Sequence, residues 1–182
     1  MQITAVSNNL SHANIKVNSK PALAPTGPRA YKGMSIVRSY QRQLTDGSTQ
    51  PLDQPQVGDL IKVNLDVTFP ETLEYVVIED RLPSILEAVN DDFESQKSRF
   101  KGNSQNHWLI NHQELRADRA LFFVNRSWND STQTISYLAR VTSAGTATSP
   151  AAKVECMYDP LQLAITESLR LTTIKKKAVS SK

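Results

Sequence analysis

Residues 115–160 read LRADRALFFVNRSWNDSTQTISYLARVTSAGTATSPAAKVECMYDP, and they carry three strand patterns separated by turn residues. Within residues 134–142, Leu138 aside, apolar side chains alternate with polar ones, and the apolar set is Ile135, Tyr137, Ala139 and Val141. This alternation is typical of a strand with one buried face. It recurs in residues 152–156 after a turn at Gly145, so the sequence predicts a hairpin formed by these two strands.

Strand patterns outside this pair predict two facing sheets. Residues 120–124 form an apolar run without alternation, which indicates a strand covered on both faces, as in the core of a sandwich. Residues 61–69 alternate most regularly, and shorter strand patterns occur at 33–40 and 73–79. We therefore predict an all-β fold, a two-sheet antiparallel β-sandwich.

One segment between the strand patterns suggests a helix. Ser84 and Glu87 have the spacing of a capping box, in which each side chain bonds a free backbone N–H at the start of a helix. Ile85, Leu86 and Val89 supply the apolar residues of such a helix. The sequence thus predicts at most one short helix in the fold, over residues 84–89.

A series of short motifs runs through this sandwich. In chain order they are Ala117-Asp118-Arg119, Tyr137-Leu138-Ala139-Arg140-Val141, Gly145, Ser149-Pro150-Ala151 and Met157-Tyr158-Asp159-Pro160. Their order resembles the C-terminal macroglobulin-like domain of bacterial alpha-2-macroglobulins, whose pattern has Asp-Asp-Arg, Tyr-x-x-Arg-Val, Gly, Pro-Pro-Ala and Met-Tyr-x-Pro. Ala117 replaces one acidic residue of that pattern, and Ser149 replaces its first proline. The resemblance covers residues 29–173 and implies a macroglobulin- or immunoglobulin-like sandwich.

The chain is expected to contain one domain with two flanking segments. At 182 residues it is long enough to bury a core without disulfides, and its single cysteine, Cys156, lies on an alternating strand, which favours an inert buried thiol. Residues 1–28 combine a weak strand signal with proline and glycine, which predicts an arm or linker. Residues 29–174 form the predicted sandwich domain, and residues 175–182 form a basic flexible tail.

The distribution of charge argues against nucleic acid as a partner. The net charge is +3, and the cations before Asp46 are spread thinly, with only Tyr31 and Tyr40 as nearby aromatic residues. A nucleic-acid surface usually combines basic clusters with stacking aromatic residues or a reading motif. No run approaches the roughly 20 apolar residues of a membrane span. We predict neither a nucleic-acid partner nor a membrane span.

Candidate catalytic and metal-binding residues are few. No nucleophile elbow, Walker loop, dinucleotide fingerprint or His-Glu-x-x-His motif occurs. His107 and His112 lack further ligands at a recognised zinc spacing, and we expect both at a strand or loop edge. Asp91, Asp92 and Glu94 lack the glycine and register of a calcium loop. We predict no enzyme, no metal site and no cofactor, although sequence alone leaves a scattered Ser-His-Asp arrangement open.

The family resemblance implies which residues face a partner. Members that trap proteases carry a Cys-x-Glu-Gln thioester in a separate helical domain, whereas Cys156 is followed here by Met157, Tyr158 and Asp159. The sequence contains neither that thioester nor the bait region of a trap. In complete members the last domain packs beside the thioester domain, and its Met-Tyr pair is expected to shield the thioester from water. The resemblance gives this role to Met157 and Tyr158, and the alternative is that both cap this domain's own core.

The resemblance also implies a function and a compartment. We expect a non-catalytic protein-binding or structural module of a bacterial alpha-2-macroglobulin-like protease-inhibitor system, either a terminal fragment or split product or a complete gene product. Its protein partner would be the remaining macroglobulin and thioester domains or a neighbouring subunit. The expected compartment is the periplasm or cell envelope, or the cytoplasm if Met1 is the true start, because no signal peptide precedes the domain.

A function of another class is also compatible with the sequence. A free-standing adhesion or carbohydrate-binding sandwich would use Trp108 or Trp128 as a stacking platform, since sugars favour flat aromatic faces. Trp128 lies in the polar stretch NRSWNDS, where either exposure or anchoring against the sandwich fits the pattern.

Overall fold

The computed structural model describes residues 28–30, 33–89, 110–127 and 131–176. Every regular element in these ranges is a strand: β1 (Arg29–Ala30), β2 (Ser35–Gln43), β3 (Thr49–Pro51), β4 (Leu60–Phe69), β5 (Glu74–Arg81), β6 (Leu86–Ala88), β7 (His112–Arg116), β8 (Arg119–Arg126), β9 (Ser131–Val141), β10 (Gly145–Ser149), β11 (Lys153–Cys156), β12 (Asp159–Ile165) and β13 (Leu169–Thr173). Predictions that lie outside the described residues concern all but the last residue of the arm predicted at 1–28, most of the tail predicted at 175–182, and Asp91, Asp92, Glu94, His107, Trp108 and Trp128.

The strands form two large antiparallel sheets, as predicted. One has six strands in the order β1-β12-β11-β5-β8-β7, and the other has five in the order β3-β2-β4-β9-β6. β10 and β13 form a separate two-stranded ribbon. An isolated parallel bridge between Gln56 and Ile174 ties the segment after this ribbon to the loop before β4. The all-β, two-sheet antiparallel sandwich is therefore confirmed.

The core lies between the two large sheets and follows the predicted alternation. Every second side chain of the central strands is buried: Ile61, Val63, Leu65, Val67 and Phe69 in β4, Ile135, Tyr137, Ala139 and Val141 in β9, and Val76, Ile78, Phe122, Val124 and Val154 in the opposite sheet. Full burial of one such aliphatic or aromatic side chain stabilises the fold by about 1.5–3 kcal/mol. The rings of Phe122 and Tyr137 meet across the interior with centroids 5.9 Å apart.

The predicted hairpin between residues 134–142 and 152–156 is wrong. β9 pairs with β4 and β6 in the five-stranded sheet, whereas β11 pairs with β5 and β12 in the six-stranded sheet. The chain turns at Gly145 into β10, whose partner is β13. Alternation reports which side of a strand is buried, but it does not report which strand lies beside it.

No helix forms at residues 84–89, so that suggested position is wrong, while the described residues stay within the prediction of at most one short helix. Ser84 and Ile85 form a turn in which the Leu86 amide donates to the Pro83 carbonyl at 2.9 Å, and β6 follows directly. β6 pairs with β9, and the Val89 amide then donates to the Leu138 carbonyl at 2.8 Å. The edge of β9 offers this segment backbone partners from a distant part of the chain, and those bonds replace the local bonds of a capped helix turn.

The strand predicted at residues 120–124 is present as part of β8, but its two faces differ. Ala120, Phe122 and Val124 are buried in the core, whereas Leu121 and Phe123 on the other face are only half-buried. The expectation of cover on both faces is therefore wrong for the outer face. The strands predicted at 33–40 and 73–79 are found as β2 and β5 with shifted ends.

Candidate functional site

Met157 and Tyr158 form the two-residue connection between β11 and β12. β11 ends at Cys156, β12 begins at Asp159, and these two residues are register partners. The Met157 side chain is 52% exposed and that of Tyr158 is 78% exposed. Neither residue belongs to the buried core cluster of the sandwich. We call this segment, residues 156–159, the Met-Tyr hairpin.

A bulge in β12 adds a third exposed apolar side chain beside the hairpin. The register passes from Glu155 opposite Leu163 directly to Cys156 opposite Asp159, so residues 160–162 have no partner on β11. The Leu161 amide donates to Asp159 Oδ1 at 3.1 Å, and the Leu161 side chain is 67% exposed. The bulge thus turns a large apolar side chain outward at the end of the sheet.

Tyr75, in β5, contacts the Met-Tyr hairpin through both its backbone and its ring. The Tyr75 carbonyl accepts a hydrogen bond from the Met157 amide at 2.8 Å. The rings of Tyr75 and Tyr158 meet edge to face, with centroids 5.2 Å apart and an interplanar angle of 89°. The Tyr75 side chain is 48% exposed, so it extends the surface formed by Met157 and Tyr158.

Cys156 anchors the base of the hairpin. Its side chain is buried, as predicted, and Sγ donates to the Glu74 carbonyl at 3.2 Å. A buried thiol with an internal acceptor behaves as a small apolar side chain. The strand before the hairpin is therefore fixed to β5 by side-chain as well as backbone bonds.

A second polar cluster lies inside the sandwich. Arg38 Nη1 donates to Asp80 Oδ1 at 2.5 Å, and Tyr137 Oη donates to Asp80 Oδ2 at 2.8 Å. All three side chains are buried. Next to them, the guanidinium carbon of Arg38 lies 5.5 Å from the Tyr40 ring centroid, and Tyr40 Oη lies 2.8 Å from Ser149 Oγ. The cluster joins β2 and β9 of one sheet to β5 of the other.

Burial shifts the ionisation of this cluster. Desolvation raises the pKa of Tyr40 to about 12 and raises the pKa of Tyr137 well above its usual range. Desolvation also raises the pKa of Asp80, and Arg38 and Tyr137 oppose that rise. For Arg38, desolvation lowers the pKa, but the charge of Asp80 and its neighbours offsets this, so the net pKa is raised. These groups bond one another inside the protein. We therefore interpret the cluster as a structural link between the two sheets and not as a reactive site.

The remaining candidates for chemistry are dispersed over the described surface. His112 lies on β7 at the edge of the six-stranded sheet, as expected, with Nε2 3.8 Å from Glu114 Oε1. In ranges 28–30, 33–89, 110–127 and 131–176, no three His, Cys, Asp or Glu side chains are grouped to hold a metal ion. The described residues include no helix with the length and apolar character needed to span a bilayer.

The sequence singled out Met157 and Tyr158, whose role in binding stays a prediction, and it did not single out Tyr75, Leu161 or the Arg38–Asp80 pair that the structure places around them or in the core. Tyr75 sits in an ordinary strand pattern, and nothing in that pattern signals its contact with a hairpin more than 80 residues later. A signal for Arg38 was available, because it shares a face of β2 with Ile36 and Tyr40. A cation on the inward face of a strand calls for a buried partner.

The chain is similar to bacterial alpha-2-macroglobulins over most of its length. A family model described as the bacterial alpha-2-macroglobulin MG10 domain matches residues 33–160. An alpha-2-macroglobulin homolog of Nostoc sp. is 24% identical over 157 residues, which cover 82% of this chain and 8% of that protein. The alpha-2-macroglobulin of Escherichia coli is 34% identical over 127 residues, which cover 64% of this chain and 8% of that protein.

Solved structures agree with this assignment. Salmonella alpha-2-macroglobulin reacted with methylamine has a TM-score of 0.67 at 26% identity, over 85% of this chain and 10% of that one. Trypsin-activated alpha-2-macroglobulin from Escherichia coli has a TM-score of 0.70 at 28% identity, over 83% of this chain and 11% of that one. The chain thus spans about a tenth of the much longer relatives in which such a domain is solved. Together with the match over residues 33–160, these similarities show that the chain belongs to the family of bacterial alpha-2-macroglobulin MG10 domains.

Proposed function

We propose that this chain is a non-catalytic, protein-binding module of a bacterial alpha-2-macroglobulin-like protease-inhibitor system. Its partner in this proposal is the thioester domain, with the remaining macroglobulin domains of the same assembly. The observation that carries the proposal is the exposure of Met157 and Tyr158 on a two-residue hairpin, at the position of the family's Met-Tyr-x-Pro motif. The compartment that goes with this role is the periplasm or cell envelope.

The chemistry of the hairpin suits a shield against water. A thioester is lost when water attacks its carbonyl carbon, so a lasting thioester needs neighbours that exclude water without reacting. Met157 contributes a flexible, polarizable side chain that fills irregular gaps. Tyr158 contributes a broad ring with a polar tip, a combination that is common at protein interfaces.

Apolar neighbours increase the area available for such a contact. Tyr75 and Leu161 are also exposed large apolar side chains, and they lie next to the hairpin in the structure or in the chain. Burial of apolar surface contributes about 25 cal/mol for each Å² removed from water. Isolated exposed apolar side chains are ordinary, but several that adjoin one another favour a protein interface.

Substitution in the assembled protein tests the shielding role. The variant Met157→Ala/Tyr158→Ala should speed thioester hydrolysis when the chain is joined with the macroglobulin and thioester domains of its own system. Val37→Ala is the matched control, because Val37 is 59% exposed but lies on β2 of the other large sheet. A hydrolysis rate equal to that of the unsubstituted assembly would remove the shielding role.

Association itself has a separate test. The chain and the thioester-containing domains, mixed at micromolar concentration, should elute together from a sizing column. Clean separation of the two would contradict a protein-binding role in this system.

Cell fractionation with an antibody against the chain tests the compartment, and a purely cytoplasmic signal would contradict the envelope assignment.

A further inference from the structure

Tyr75 adopts a backbone conformation that is unfavourable for a bulky residue. Its φ angle is +55°, in the left-handed region where the Cβ atom crowds the following carbonyl oxygen. Among the described residues only Gln54, at +41°, shares a positive φ without being glycine. Strain of this kind persists where surrounding contacts hold it in place, and it concentrates at functional sites.

Tyr75 interrupts the ladder between β5 and β8. Pairing between β5 and β8 passes from Glu74 opposite Arg126 to Val76 opposite Val124, with Tyr75 omitted. On its other side, the Tyr75 carbonyl accepts the Met157 amide at 2.8 Å, which continues the pairing of β5 with β11 one residue beyond Val76 opposite Cys156. The neighbouring Glu74 carbonyl accepts Cys156 Sγ at 3.2 Å. Two consecutive carbonyls of β5 therefore fix the first half of the Met-Tyr hairpin.

The ring of Tyr75 acts on the second half of the hairpin. It meets the Tyr158 ring edge to face, with a centroid distance of 5.2 Å, which lies in the favourable range for aromatic pairs. Tyr158 is 78% exposed, so few contacts other than this one restrain its ring. Tyr75 thus contacts Met157 through its carbonyl and Tyr158 through its ring.

We propose that Tyr75 is a positioning residue for the Met-Tyr hairpin. Its carbonyl orients the Met157 backbone, and its ring braces Tyr158, so that both side chains are held in one arrangement before a partner arrives. Holding an interface in its bound form lowers the entropy lost on binding. The arrangement of the hairpin stands on the contacts described above, whereas its use toward a thioester domain rests on the proposed function.

Three variants of the full chain test the inference. Tyr75→Gly accepts the positive φ but removes the ring, and Tyr75→Asn, a residue that tolerates this φ, removes the ring while keeping a side chain. Both should loosen the hairpin, seen as faster hydrogen exchange of the Met157 amide, by roughly tenfold, and loss of ring order at Tyr158 in NMR spectra. Tyr75→Phe keeps the ring and should leave both signals unchanged.

The thermal midpoint separates positioning from a merely structural role. Tyr75→Gly should unfold at the same or a higher temperature than the unsubstituted chain, because glycine removes the backbone strain, while its hairpin is less ordered. Hairpin order equal to that of the unsubstituted chain in both Tyr75→Gly and Tyr75→Asn would overturn the inference. An equal loss of hairpin order in the remote variant Val37→Ala would overturn it as well.

The two proposals fail in distinguishable ways. If Met157→Ala/Tyr158→Ala speeds thioester hydrolysis but the Tyr75 variants keep an ordered hairpin, the positioning inference fails alone. If the Tyr75 variants loosen the hairpin and hydrolysis is unchanged in every variant, the shielding function fails and the positioning inference stands. If both hold, Tyr75→Gly should also speed hydrolysis, by less than the double variant does.

Discussion

Arg38 Nη1 lies 2.5 Å from Asp80 Oδ1, so an ion pair crosses the interior of the sandwich from β2 to β5. Tyr137 on β9 donates to the other oxygen of the same carboxyl group at 2.8 Å. Three strands from two sheets therefore meet at one buried side chain. The apolar core around them accepts many arrangements of similar volume, but these directed bonds fix how one sheet lies against the other.

Removal of one partner of this pair should cost more than removal of both. Asp80→Val leaves the Arg38 charge buried beside an apolar side chain, and the free energy of unfolding should fall by about 3–5 kcal/mol. Arg38→Met/Asp80→Val removes both charges and should recover much of that loss. Denaturant unfolding of the two variants and the unsubstituted chain measures the difference. A double variant no more stable than Asp80→Val would contradict the account.

Stability should fall at alkaline pH because of Tyr40. Its pKa is raised from 10.0 in its ordinary state to about 12 in the folded protein, so the folded state holds this proton more tightly than the unfolded state. The contribution is complete below pH 10 and is lost as pH rises from there to about 12. The loss should approach about 2–3 kcal/mol. Unfolding measured across this range in Tyr40→Phe should show a smaller fall; identical pH profiles would contradict the assignment.

The same substitution at two leucines should separate core from surface. Leu65→Ala, in the middle of β4, opens a cavity in the buried core and should cost about 2–5 kcal/mol of unfolding free energy. Leu161→Ala, on the exposed bulge, should change the unfolding free energy by less than about 0.5 kcal/mol. Binding to the thioester-containing domains should show the opposite order. Under conditions where both variants are folded, Leu161→Ala should weaken binding more than Leu65→Ala does. A costly Leu161→Ala would mean that the bulge supports the fold.

The Cys156 thiol should react slowly in the native chain. Its side chain is buried and donates to the Glu74 carbonyl, so a thiol reagent reaches Sγ only after local opening. Labelling of Cys156 should be complete at once in denaturant. In native buffer it should be far slower. Tyr75→Gly should leave this lag intact if only the tip of the hairpin loosens. Immediate labelling of the native chain would show that the base of the hairpin is open.

Much of the fold was predictable because burial imposes a period of two on a strand. The inward residues of β4 and β9 were identified correctly on that basis. The partners of those strands were not, since β9 and β11 share an alternating pattern yet lie in different sheets. Ser84 and Glu87 have the spacing of a capped helix, but the segment pairs with β9, which lies about 50 residues away in the chain. A pattern within a few residues cannot predict a contact with a strand so distant in sequence.

The candidate site likewise contains residues that the sequence singled out and residues that it did not. Met157 and Tyr158 were singled out through their motif; the structure shows both exposed, and their binding role stays a prediction. Tyr75 was not singled out, because neither its φ of +55° nor its contacts with Met157 and Tyr158 can be read from its own strand pattern. The partner of Arg38 was equally hidden, since Asp80 lies on the other sheet.

Distant pairing also governs how this domain reaches its folded state. β1 pairs with β12, β4 with β9 and β5 with β11, so the central ladders close only after long stretches of chain have come together. In such a topology the chain loses the entropy of closing long loops before the stabilising contacts form. Folding is therefore expected on the order of milliseconds to seconds and not in microseconds. Until then the edge of β4 that will face β9 is unpaired, and an unpaired edge beside a row of apolar side chains is prone to aggregation. Refolding that is complete within microseconds in a laser temperature-jump measurement would be incompatible with this order of events.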